Sequence, residues 1–156
     1  MNPRIVMNHL CAQADRRLVK YDEDAALNIV DLGQPQGAGN KCVSLMARGR
    51  PRLYLAGLLR TVAAGTVRVF RIIAATDALG TNATPIVEHA LSEAPDAVGD
   101  SLFLDCTVEQ ARAALPQATH IGVQLQLSDA DDECVILFER TETRWRIPCA
   151  TEDYVS

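Results

Sequence analysis

The stretch HIGVQLQLSDADDECVILF, residues 120–138, carries the clearest structural pattern in the chain. HIGVQLQL alternates apolar and polar side chains, which predicts a β-strand with one buried face. CVILF predicts a second strand, and the polar residues between the two are typical of a turn. We therefore predict an antiparallel hairpin in which Leu127 lies opposite Cys134. This register places Cys134 on the apolar face, in the core.

The acidic turn of this hairpin superficially resembles a calcium-binding EF-hand loop. Such a loop needs glycine at its sixth position and glutamate at its twelfth, but counting from Asp129 these positions hold Cys134 and Arg140. We therefore predict a solvated hairpin tip. The three histidines of the chain, His9, His89 and His120, share no metal-ligand spacing, so we expect neither a metal nor another cofactor.

On the N-terminal side of the hairpin, the sequence predicts strands that alternate with helices. Thr107, followed three residues later by Gln110, forms a capping box that predicts a helix ending at Leu115. Apolar runs predict further strands over residues 27–32, 42–46, 66–73 and 101–106. Apolar spacing, Leu and Ala content, and prolines suited to a first helical turn predict helices over residues 5–18, 53–64 and 84–93.

This order of elements predicts an α+β or α/β fold. We expect a single-layer mixed sheet with a C-terminal antiparallel hairpin and with helices packed on it, in a strand order that the sequence leaves open. The chain has 156 residues, which fits a single globular domain over residues 1–156, with a less ordered tail from about residue 148.

Composition places the chain among globular proteins. Hydrophobic residues make up 48% and charged residues 22%. No apolar run approaches the roughly 20 residues that span a bilayer, and the N-terminal residues lack the pattern of a signal peptide, so we expect a cytoplasmic protein without a membrane partner. The five cysteines include no C-x-x-C pair, which favours reduced thiols packed as small hydrophobic side chains.

Charge is unevenly distributed. Residues 32–76 contain seven basic side chains and no acidic one, whereas the other 8 basic and 20 acidic residues give the rest of the chain a formal charge of −12. Such asymmetry is typical of proteins that bind an anionic partner. The alternative is that the acidic flanks neutralise this basic segment, within one subunit or across a dimer.

The densest part of the basic segment, Arg48-Gly49-Arg50-Pro51, resembles the core of an AT-hook. The resemblance implies insertion of the two arginines into the minor groove of A·T-rich DNA. AT-hooks usually lie in disordered basic chain, whereas apolar residues flank this tetrapeptide on both sides. We therefore favour a turn that leads into a helix beginning at Pro51.

The least implausible catalytic group is Asp105 and Cys106 at the end of a predicted strand, with His89 or His120 as the base. α/β folds place ligands at the carboxyl ends of strands, and a cysteine needs a nearby base to act as a nucleophile. The alternative is that Cys106 is packed and that Asp105 helps to cap the following helix.

These patterns favour a small, non-enzymatic binding domain. We expect it to bind an anionic partner, namely a nucleic acid, a phosphorylated ligand or an acidic protein surface. The residues expected to bind that partner are Lys41, Arg48, Arg50, Arg52 and Arg60. Two alternatives stay open: a thiol-dependent enzyme that uses Cys106, and a structural or regulatory homodimer in which the basic and acidic regions meet.

Overall fold

The structure is a computed structural model that describes residues 15–21, 26–33, 40–45, 51–89 and 97–142. Within these ranges the chain forms nine strands and one short helix, α1 (Val108–Ala114). The strands are β1 (Asp15–Tyr21), β2 (Asn28–Ile29), β3 (Val43–Ser44), β4 (Pro51–Val62), β5 (Val67–Ala75), β6 (Thr84–Glu88), β7 (Ser101–Thr107), β8 (His120–Leu127) and β9 (Glu133–Glu142).

The strands form two antiparallel sheets. Sheet 1 has the order β1-β9-β4-β7, and sheet 2 has the order β2-β8-β5-β6, with β3 also paired to β8. The described chain is therefore mostly β-structure, and the predicted α+β or α/β fold, with helices packed on a single-layer mixed sheet, is wrong. One hydrophobic core joins the inner faces of the two sheets, because buried residues of β4 and β9 pack with those of β5 and β8.

Strand β4 is the largest departure from the predicted elements. The predicted helix over residues 53–64 is wrong, because this segment is extended and pairs with both β7 and β9. Tyr54, Ala56, Leu58 and Arg60 are all buried, which is the period of two expected for a strand with one covered face. The Leu and Ala content favours a helix locally, but tertiary packing overrides propensities of this size.

In two other predicted helices, the described residues form strands instead. The segment that begins at Thr84 forms β6 and pairs with β5, so the predicted helix is wrong there, and residues 90–96 lie outside the described part. Leu18, the last apolar residue of the predicted N-terminal helix, lies in β1, while residues 1–14 lie outside the described part.

Several local predictions are confirmed. Strands occur within residues 27–32, 42–46, 66–73 and 101–106, although the first two are only two residues long. The capping box of α1 is also present: the Gln110 backbone N–H donates to Thr107 Oγ1 over 3.2 Å, and the Thr107 N–H donates to Gln110 Oε1 over 2.8 Å.

The strands of the predicted C-terminal hairpin exist, but the hairpin does not. β8 pairs within sheet 2 and β9 within sheet 1, so residues 128–132 form an arch that crosses from one sheet to the other. The register that sets Leu127 opposite Cys134 is therefore wrong, since Leu127 pairs with Val67 and Cys134 pairs with Tyr21 and Arg60. Cys134 is nevertheless fully buried, as predicted.

A buried ion pair joins two arches at this end of the molecule. Arg60, at the end of β4, donates from Nε to Asp132 Oδ1 over 3.2 Å and from Nη2 to Asp132 Oδ2. The same Nη2 donates to the carbonyl oxygen of Gly65, in the arch from β4 to β5, over 2.7 Å. Both charged side chains have 0% exposure. The prediction of a fully solvated acidic turn is therefore wrong for Asp132.

Candidate functional site

An open cleft of about 270 Å³ lies at the opposite end of the strands from the Arg60–Asp132 pair. Tyr54 and Arg60 of β4 pair with Arg140 and Cys134 of β9, so Arg60 lies six strand positions, or roughly 20 Å, from the level of Arg140. The residues that line the cleft are Arg17, Gly33, Asn40, Cys42, Val43, Ser44, Ala78, His120 and Arg140.

Two arginines of sheet 1 give this cleft its positive charge. Arg17 of β1 pairs with Phe138 of β9 and continues the inward-facing row of Val19 and Tyr21. Arg140 lies two residues beyond Phe138 on the same face of β9. Its Nη1 donates to the Ser44 carbonyl oxygen of β3 over 2.9 Å, which connects the two sheets across the cleft.

His120 brings an ionisable ring from sheet 2 to the same cleft. It is the first residue of β8, where it pairs with Ser44 of β3 and with Ala75 of β5. Its Nδ1 lies 2.8 Å from Thr119 Oγ1, and the Thr119 hydroxyl donates to the Thr76 carbonyl oxygen over 2.8 Å. The backbone carbonyl of Thr76, directly after β5, therefore holds this ring in place through the Thr119 hydroxyl.

The loop between β5 and β6 supports one wall of the cleft. Asp77 Oδ1 accepts hydrogen bonds from the backbone N–H groups of Leu79 and Thr81, at 2.9 and 3.0 Å. The Ala78 carbonyl oxygen accepts from the Cys42 N–H over 2.9 Å. Hydrogen bonding, above all with Thr81, lowers the pKa of Asp77, so this carboxylate is charged at neutral pH.

Burial controls the protonation of two ionisable groups in the cleft, His120 of β8 and Cys42 in the segment before β3. Desolvation lowers the pKa of His120, and the nearby Asp77 carboxylate opposes this effect. Desolvation raises the pKa of the Cys42 thiol to about 12, with a further contribution from Asp77. Both groups are therefore mainly neutral at pH 7, and the arginines supply the cationic charge of the cleft.

Of the basic residues that the sequence singled out, the structure describes the side chains of Lys41 and Arg60, and it places them in different settings. Lys41 is exposed beside the cleft, whereas Arg60 is buried against Asp132 and does not reach the surface. Arg48 and Arg50 lie outside the described residues, and so do the first three residues of the AT-hook tetrapeptide, Arg48 to Arg50. The side chain of Arg52 is outside the described part as well.

Acidic partners neutralise two cations of the basic segment. Arg60 pairs with Asp132, and Arg71 Nη1 lies 3.6 Å from Glu88 Oε2. Both acids come from the acidic flank that follows the segment, which agrees with the alternative that opposite charges meet within one subunit. Arg68 of β5 is exposed.

No hydrogen bond in the described part of the chain joins the proposed catalytic residues to one another. Cys106 faces the core opposite Tyr54, whereas Asp105 is exposed on the other face of β7, as successive strand residues must be. His89 Nδ1 accepts from the Phe70 N–H over 3.0 Å, and His120 lies in the cleft. Among the described residues, no hydrogen bond joins Cys106 to either histidine. The catalytic hypothesis stays a prediction without geometric support.

Sequence reasoning missed Arg17 and Arg140. A signal for both exists in the sequence, because each extends a row of alternating buried residues: Arg17 precedes Val19 and Tyr21, and Arg140 follows Ile136 and Phe138. A charged residue that continues a row of buried strand residues is typical of a position at the edge of the hydrophobic core, where the side chain can reach solvent. That the two rows lie on adjacent strands is not readable from the sequence.

Comparison with known proteins gives no indication of the function of this chain. No protein-family model, no curated protein and no solved structure matches this chain. In the described part of the chain, no group of three or more His, Cys, Asp or Glu side chains is arranged to hold a metal ion. That part of the chain also contains no helix that combines the length and the apolar character needed to cross a membrane.

We expect the substitution Gly33→Ala to disturb the cleft. A Cβ at residue 33 would lie 1.7 Å from the backbone oxygen of Asn40, which also lines the cleft, so the backbone must move. The expected loss in the free energy of unfolding, from urea titration, is about 2 kcal/mol. Gly57→Ala is the matched control, because its Cβ first meets the ring of exposed Phe103, which can rotate away. Equal stability of the two variants would contradict this account of Gly33.

Proposed function

We propose that this chain is a non-enzymatic binding domain whose cleft takes a small anionic group, such as a phosphate or a carboxylate. The observation that carries the proposal is the convergence of Arg17 and Arg140 with His120 in one cleft between the sheets. Guanidinium groups bind phosphate and carboxylate through paired hydrogen bonds, and they stay charged at all physiological pH values.

The size of the cleft supports a small ligand. Its volume of about 270 Å³ is just below the usual range of small-molecule pockets, which suits a phosphoryl or carboxylate group with a short substituent. The cleft is open, so a larger molecule can present such a group while its remainder stays in solvent.

A general nucleic-acid binder is less well supported. Such proteins present basic side chains along an open surface, and the whole chain here has a formal charge of −5. The cations that carry this proposal lie in a cleft between two sheets. Binding to nucleic acid or to an acidic protein surface stays a prediction, as do a cytoplasmic location and the homodimer.

The test is a titration with inorganic phosphate at 50 and at 200 mM NaCl, monitored through NMR chemical shifts. We expect shifts in the backbone signals of the cleft residues, with a dissociation constant that rises with salt. Arg140→Gln should weaken binding by about tenfold, because it removes charge-assisted hydrogen bonds. Arg68→Gln, at an exposed position of sheet 2, is the control and should bind like the wild type.

Two results would overturn this proposal. One is the absence of cleft shifts at 50 mM NaCl. The other is unchanged phosphate affinity in a folded Arg140→Gln protein, which would mean that the anion binds elsewhere.

A further inference from the structure

The hydrogen bonds around His120 determine which ring nitrogen carries the proton. The carbonyl oxygen of Thr76 can only accept, so the single hydroxyl proton of Thr119 points to it over 2.8 Å. The same Thr119 Oγ1 is 2.8 Å from His120 Nδ1 and must accept there. Nδ1 is therefore protonated, and in the neutral ring Nε2 has a free lone pair.

The Nε2 lone pair of His120 belongs to a cleft that also contains two arginines. His120 lines the cleft with Arg17 and Arg140, and no hydrogen bond within the described residues involves its Nε2. Asn40 and Ser44, which also line the cleft, can each donate or accept, whereas the two arginines can only donate and Nε2 of the neutral His120 ring can only accept. A fully deprotonated oxyanion satisfies the donors but places an oxygen lone pair against that of Nε2, whereas an oxyanion that keeps a proton satisfies all three.

We propose that the cleft selects oxyanions that retain an O–H group, such as hydrogen phosphate, over fully deprotonated oxyanions such as sulfate. His120 Nε2 accepts the hydrogen bond of the ligand's O–H group, and Arg17 and Arg140 bind the negative charge. This inference rests on the proposed function, because it assigns the ligand class to the same cleft.

The charged groups around His120 are consistent with this state at neutral pH. Asp77 faces it from the loop after β5, Cys42 from the segment before β3, and the two arginines from β1 and β9. Desolvation lowers the pKa of His120, which keeps the ring neutral at pH 7.5. Protonation at lower pH makes Nε2 a donor, so the selectivity should disappear as pH falls below the pKa of His120.

The experiment measures the affinities for inorganic phosphate and sodium sulfate by calorimetry at constant ionic strength, at pH 7.5 and at a pH below the pKa of His120, which NMR titration of the ring determines. We expect phosphate to bind roughly 10- to 100-fold more tightly than sulfate at pH 7.5, from the mismatch at one acceptor. At the lower pH, where the His120 ring is protonated, the ratio should fall to less than about threefold. His120→Asn keeps a donor at the position of Nδ1 but removes Nε2, and it should abolish the preference at pH 7.5 while both anions still bind.

Each outcome has one meaning. If both anions bind through Arg140 but the ratio is near one at pH 7.5, or if His120→Asn leaves the ratio unchanged, this inference is wrong and the proposed function stands. If neither anion binds the wild-type protein, the proposed function fails, and the inference fails with it.

Discussion

Replacing Arg60 with alanine is expected to lower the free energy of unfolding by about 3–5 kcal/mol, the usual cost of removing one partner of a buried ion pair. The variant leaves the Asp132 carboxylate buried without its cation and leaves the Gly65 carbonyl without its donor. It also removes the side chain that connects the arch after β4 to the arch after β8. Urea unfolding followed by far-ultraviolet circular dichroism measures the change.

Two further variants separate the ion pair from other effects. Arg68→Ala removes an exposed arginine of β5 and should change stability by less than about 0.5 kcal/mol. Arg60→Met combined with Asp132→Asn removes both charges, keeps similar volumes and retains an acceptor for the Glu133 N–H. We expect this double variant to recover at least half of the unfolding free energy that Arg60→Ala loses, because removing both charges leaves no unpaired charge in the core. A loss below about 1 kcal/mol for Arg60→Ala would contradict the role of the pair.

Thiol labelling is expected to be roughly a thousandfold slower at Cys106 in the native protein than in the denatured chain at pH 8. Burial raises the pKa of this thiol to about 12, with a smaller contribution from the Asp105 carboxylate, so almost none of it is thiolate at pH 8. Cys134 is buried as well, and its pKa is also raised to about 12. Iodoacetamide labelling followed by peptide mass spectrometry measures each site, and the chain in guanidinium chloride is the control.

The same thiols give stability a defined dependence on pH. Their pKa values are higher in the folded chain, about 12 against an ordinary 9.0, so the native state keeps protons that the unfolded chain loses. Their stabilising contribution is complete below about pH 9 and is lost as pH rises toward 12, by about 1.4 kcal/mol per pH unit for each thiol. Native labelling of Cys106 at the rate of the denatured chain would contradict this prediction and would favour the thiol-dependent enzyme.

The cleft illustrates why the site could not be predicted from the sequence. Arg17 and Arg140 are far apart in the chain, and they become neighbours because β1 pairs with β9 in antiparallel register. His120 joins them because β3 pairs with β8 in the other sheet. The composition of residues 32–76 pointed to anion binding through Lys41 and four arginines, but it carried no information on which side chains face solvent. Arg60 shows the limit of that reasoning, because the fold uses its charge internally.

Sequence alone determined the features that depend on neighbouring residues. The alternation in residues 120–127 identified β8, and Thr107 with Gln110 identified the start of α1, because strand periodicity and capping act within a few residues. Only the tertiary structure decided that residues 51–62 form a strand, that β8 and β9 join different sheets, and that Arg17, His120 and Arg140 share a cleft. The reason is that strand pairing and burial are set by contacts between distant parts of the chain, and their energies exceed the local preferences of Leu and Ala for a helix.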